Sequence, residues 1–124
     1  MIKVKHFLDT VESDDGQRLW VEPIDVTKDL REMCQIDHVL THLGPPKKLW
    51  NWYEDHPQGY DAFRGEYHES LKAGPYNDAL MQLAAIAQRE TFTLLHQGDD
   101  PIHNSAMALY EYLTELEAYC PPED

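Results

Sequence analysis

The sequence predicts an α/β fold, a small parallel or mixed sheet covered by helices, on three observations. Residues 2–7 alternate with the period of a strand, residues 91–95 form an uncharged β-branched run, and apolar residues elsewhere recur at helical spacing.

Ile2, Val4 and His6 alternate with Lys3, Lys5 and Phe7, which predicts a first strand with one buried face. Ser13-Asp14-Asp15-Gly16 is a turn signal leading into Arg18-Leu19-Trp20-Val21, a second strand stopped by Pro23. After Asp25 the period changes. Leu30, Met33, Cys34, Asp37, Val39, Leu40 and Leu43 predict a helix capped by Thr27 or Asp25, with a break near Gln35, and Gly44-Pro45-Pro46 ends it. Leu49, Trp50, Trp52 and Tyr53 read as a helical turn packed on the core. Pro57 at a first helical position precedes Tyr60, Phe63, Tyr67 and Leu71, a helix stopped by Gly74-Pro75. Tyr76 to Arg89 repeats the pattern through Leu80, Leu83, Ala84 and Ala87. Thr91-Phe92-Thr93-Leu94-Leu95 then reads as a central strand buried on both faces. Asp100 as cap and Pro101 as first residue open a last helix through Ile102, Ala106, Leu109, Leu113 and Leu116, which Pro121-Pro122 ends.

A chain of 124 residues without repeats or linkers is expected to form a single α/β domain over 1–124. Ten Lys and Arg against 23 Asp and Glu leave a net charge of −13, which repels phosphate backbones and anionic lipids, so direct nucleic-acid and membrane binding are excluded. Cys34 and Cys120 have no metal-type or redox spacing. The alternating N-terminus lacks the unbroken apolar stretch of a secretory signal, and a cytoplasmic protein is expected.

The order of Ile2-Lys3-Val4-Lys5, Asp15-Gly16-Gln17-Arg18, Leu49 to Tyr53, and His56-Pro57 with Phe63, Tyr67 and Leu71 resembles an uncharacterised family, the YeaO-like domain of unknown function 488. Thr93-Leu94-Leu95, followed by Asp99 and His103-Asn104, is similar to that family's strand, loop and His-Asn helix start. The resemblance implies a flavodoxin-like or rhodanese-like α/β fold in the cytosol, with no agreed reaction. One departure stands out. The family usually follows its second strand with Arg-Leu-Trp-Pro-Arg-Gly, where the ungapped positions here read Pro23-Ile24-Asp25-Val26-Thr27-Lys28. A shifted register places Arg18-Leu19-Trp20 on the motif, yet Val21-Glu22-Pro23 still lacks the second arginine and the glycine. The motif is lost on either register, and with it the basis for the anion pocket that its arginines would build.

Six residues are candidate ligand contacts: Arg18, Trp20, His96, Asp99, His103 and Asn104. The last four follow the 91–95 strand, where open α/β sheets bind ligands and helix N-termini present free N–H groups. His96 or His103 would move protons near neutral pH there, whereas Asp99 and Asp100 as helix caps would occupy an anion's place. Arg18 and Trp20 share one face of their strand, suited either to clamping a planar anion or to strand packing. Cys34, His38 and His42 fall at four-residue intervals, a ladder able to hold zinc on a continuous helix, but such triples arise by chance and no metal or other cofactor is assigned.

The middle third concentrates Trp50, Trp52, Tyr53, Tyr60, Phe63 and Tyr67, read as core with tyrosine hydroxyls at the surface and with any exposed remainder favouring a homodimer. The acidic surface reads as solvated, or as a docking face for a basic protein partner. No nucleophile elbow, glycine-rich phosphate loop or CxxC occurs, and no catalytic residue is assigned. A binding or protein-interaction domain is therefore expected rather than an enzyme, the alternative being a small-anion binder or enzyme with its site after the last strand.

Overall fold

The computed structural model describes residues 1–119. Its strands are β1 (Ile2–His6), β2 (Gln17–Trp20), β3 (His38–Val39) and β4 (Phe92–His96), and its helices are α1 (Lys28–Met33), α2 (Lys47–Asp55), α3 (Tyr60–Ala73), α4 (Asn77–Ala87) and α5 (Ser105–Glu117). The strands form an all-parallel sheet in the order β1-β4-β2-β3, which resolves the choice between a parallel and a mixed sheet. β4 lies between β1 and β2, with Ile2 opposite Phe92 on one side and Gln17 opposite Phe92 on the other. All five of its residues are buried, as its uncharged sequence requires of a central strand.

Alternation sorts the side chains onto two faces. Leu19, Val21, Phe92 and Leu94 belong to the main core with Phe63 and Tyr67 of α3, Leu80 of α4, and Leu109 and Leu113 of α5. Trp20 and Leu95 instead join Cys34 and Ile36 in a smaller cluster, against which Phe7, Ile24, Val26, Leu30 and Val39 pack. Beside that cluster the face is polar. The Asp15 carboxylate, 1% exposed, accepts hydrogen bonds from Lys3 Nζ at 2.8 Å, Lys5 Nζ at 3.1 Å and Arg18 Nη1 at 2.7 Å. Burial alone would raise its pKa, but the bonds from Lys3, the Glu12 backbone, Lys5 and Arg18 together hold it well below the usual carboxylate range. Gly16 brings this loop onto the sheet at φ +64°, where a Cβ would stand 1.8 Å from the Thr91 carbonyl oxygen.

The helix expected through Leu30 to Leu43 stops at the break expected near Gln35, and its continuation is corrected. Thr27 caps α1 by accepting from the Leu30 N–H at 3.1 Å, and Gln35 at φ 51° ends the helical run. Beyond it the backbone joins β2: the Asp37 N–H donates to the Arg18 carbonyl at 2.8 Å, and the Arg18 N–H donates to the Asp37 carboxylate at 2.7 Å. Pairing with a sheet edge outweighs a weak helical period. The remainder becomes β3 and a 3-10 turn over Thr41–Leu43.

Three further boundaries differ. The turn expected near Trp50 is the nine-residue helix α2. Pro57 precedes α3, whose helical residues begin at Tyr60, and α5 begins at Ser105 instead of Pro101. Asn104 is the cap of α5, its side-chain oxygen accepting from the Met107 N–H at 2.8 Å; Asp100 accepts from the Ile102 and His103 N–H groups in the preceding turn. The expected stop at Pro121-Pro122 and the thiol of Cys120 lie outside the described residues. Two of the three middle-third tyrosines also depart from expectation: the Tyr67 hydroxyl is buried and donates to the Leu43 carbonyl, and the Tyr60 hydroxyl is buried with no hydrogen-bond partner among the described residues. No helix of the described residues is long and apolar enough to cross a membrane.

Candidate functional site

The chain leaves β2 and β4 side by side, and the loops that follow them open a cleft of about 570 Å³ at the carboxyl ends of the sheet. That size lies within the usual range of small-molecule sites, and the position is where open α/β sheets bind ligands. Glu22, the second residue after β2, forms its floor and is 2% exposed. Trp50 and Tyr53 of α2 form an aromatic wall, the 97–100 segment a rim, and the start of α5 the far side.

The Glu22 carboxylate is held by neutral donors. Trp50 Nε1–H donates to its Oε2 at 2.6 Å, and the Ser105 hydroxyl donates to the same oxygen at 3.4 Å. Burial pushes its pKa up to about 7 despite the bonds from Trp50, Ser105 and the Gln97 backbone, and the Glu54 carboxylate adds to the rise. Tyr53 fixes the wall to the far side, its hydroxyl donating to the His103 carbonyl at 3.0 Å. On the rim, Asp100 is kept below the usual carboxylate range by the backbone N–H groups of Ile102 and His103, and its Oδ2 lies 3.1 Å from His103 Nδ1. Glu22, Glu54, Asp99 and Asp100 are all in the lining, and no lysine or arginine is among the described residues there.

Of the six sequence candidates, Asp99, His103 and Asn104 come together at this cleft, whereas Arg18, Trp20 and His96 are not among its lining residues. Arg18 belongs to the opposite face, where it bonds Asp15 and donates through Nη2 to the Cys34 carbonyl at 3.0 Å. Trp20 packs in the smaller cluster and donates through Nε1 to the Ile24 carbonyl at 2.8 Å. His96 is buried at the end of β4 with Nδ1 2.9 Å from the Gly98 carbonyl; burial lowers its pKa, although the Gly98 bond works the other way. The zinc ladder is not assembled: Cys34 is buried in the smaller cluster, His38 Nε2 meets Gln17 Oε1 at 3.0 Å from β3, and the His42 ring lies 5.0 Å from that of Tyr76.

Neither Glu22 nor Trp50 was among the sequence candidates. A signal for Glu22 did exist, because a carboxylate between Val21 and Pro23 directly extends an apolar strand. Only the packing of α2 shows that it is buried and that Trp50 reaches it.

A family model described as the inactive DUF488-N3 subclade matches residues 1–119. An uncharacterized protein of Mycobacterium bovis and uncharacterized proteins of two Mycobacterium tuberculosis strains are each 27% identical over 92 residues, covering 74% of this chain and 75% of theirs. No solved structure gives a significant match.

Proposed function

Since the chain belongs to the inactive N3 subclade of the DUF488 family, we propose that it is a binding domain rather than an enzyme, with the cleft between β2, β4 and α2 as its ligand site. The observation that carries this reading is the cleft itself: about 570 Å³, walled by aromatic rings, with the buried Glu22 carboxyl on its floor. A few polar groups in a largely preformed concavity are what a small-molecule site needs.

The sequence register that places Arg18-Leu19-Trp20 on the family stretch puts Glu22 at the position of the second arginine. A site built on that exchange has lost the cation an anionic substrate would meet. The small-anion and enzyme alternative is accordingly the weaker one, because four carboxylates face the cleft.

The test is a fragment screen by amide and indole NMR, with cationic, neutral and anionic compounds. Binding at this site shifts the Trp50 indole signal and the amides of residues 97–105. Shifts confined to other surfaces, or none across the whole screen, overturn the reading and leave protein docking as the function to pursue.

A further inference from the structure

Among the described residues, Asp15 and Glu22 are the buried carboxylates, and they are treated in opposite ways. Asp15 has Lys3, Lys5 and Arg18 against it. Glu22 forms no ion pair with the described residues; its donors are an indole N–H, a hydroxyl and a backbone amide. A carboxylate removed from water without a counter-charge is costly, and protein interiors ordinarily supply one. Here the side open to a partner is the cleft, whose lining adds Glu54, Asp99 and Asp100 and no lysine or arginine. Trp50, whose Nε1 edge meets Glu22, and Tyr53, whose ring stacks on that of Phe63 at 4.5 Å, add aromatic surface to the lining, and aromatic rings attract organic cations.

We infer that the cleft takes a small planar organic cation, an amidinium or guanidinium group, whose N–H donors meet the Glu22 carboxylate while its apolar body lies against Trp50 and Tyr53. This rests on the cleft being a ligand site, and it adds the charge and shape of the ligand. Amidinium fits the geometry better than a compact ammonium, because a planar fork matches a carboxylate edge and stacks on an aromatic ring. Anions are repelled by the rim, and a neutral amide offers weaker bonds to the same oxygen atoms.

Benzamidine, benzamide and benzoate form a series of nearly one shape with charges of plus one, zero and minus one, and NMR titration of the full chain ranks them. Benzamidine is expected to shift the Trp50 indole signal and to bind about tenfold or more tighter than benzamide, the margin of a charge-assisted hydrogen bond. Benzoate is expected not to bind. Glu22→Gln keeps the size of the side chain and removes its charge, so it should bring benzamidine down to the affinity of benzamide. If circular dichroism shows that variant unfolded, the Glu54→Gln, Asp99→Asn double variant takes its place and should weaken benzamidine alone. Equal binding of benzamidine and benzamide, preferred binding of benzoate, or unchanged benzamidine affinity in a folded Glu22→Gln protein overturns the cation inference. The ligand-site reading survives any of these results when compounds still shift the cleft signals. Silence of the cleft toward this series and toward the whole fragment screen removes both.

Discussion

Glu22 is protonated more readily in the folded protein than in the unfolded chain, since burial and the nearby Glu54 raise its pKa from an ordinary 4.5 to about 7. The stability it contributes is complete below pH 4.5 and is lost as pH rises through about 7. That gap corresponds to about 3 kcal/mol. The Glu22→Gln protein, uncharged at that position at every pH, is expected to lack this decline and to gain on the native protein from pH 5 to about 7, with the gain levelling off by pH 8. Urea unfolding of both proteins across that range measures it; parallel stability curves would show that Glu22 is not titrating as a buried acid. Residue identity was partly legible in advance. The spacing of Arg18 and Trp20 placed them correctly on one face of a strand, but alternation does not say which face carries a cleft. Asp99, His103 and Asn104 were legible because they follow a recognisable strand within a few residues. Glu22 needed a contact with a side chain 28 residues away, which no local pattern reports.

The long periodic helices and the uncharged central strand match the sequence reading, whereas the segment decided by edge pairing and the short helix α2 do not. Tyr60, Phe63, Tyr67 and Leu71 fall on the buried face of α3 as their spacing requires. The segment after Gln35 has apolar residues at helical intervals, yet it pairs with β2, because two backbone partners on a sheet edge outweigh a broken stripe. The start of α5 was misplaced for a related reason: Asp100 and Asn104 are both competent caps, and only the turn geometry between them selects Asn104. The turn before β2 makes the sharpest prediction at this scale. Gly16→Ala combines a left-handed φ with a Cβ placed on the Thr91 carbonyl, so it is expected to destabilise the protein by at least about 2 kcal/mol. Thermal unfolding of that variant is the check, and a loss of only a few tenths would mean that the Asp15 loop is free to move off the sheet.

For the molecule as a whole, the class of fold was legible and the strand order was not. Period and composition identify strands, but β1 and β2, consecutive in sequence, do not pair, and the sheet is completed by β4 inserted between them. The net charge of −13 sets how the whole chain associates. Copies of it repel one another, so a homodimer is expected to tighten as salt screens that repulsion, whereas docking to a basic protein is expected to weaken. Sedimentation velocity at about 0.05 and 0.5 M salt separates them, since the Debye length falls several-fold over that interval. Salt-independent association would assign the contact to apolar surface.

The central place of β4 also governs how the chain can be made. At about 5–20 residues per second, a ribosome needs several seconds to reach Phe92 after finishing His6, and β1 has no strand to pair with until then. An unpaired apolar strand is an invitation to aggregation, and charged residues interspersed along it are a known defence. Lys3 and Lys5 put charges of that kind into β1, and in the folded protein the same two side chains are counter-charges of the buried Asp15.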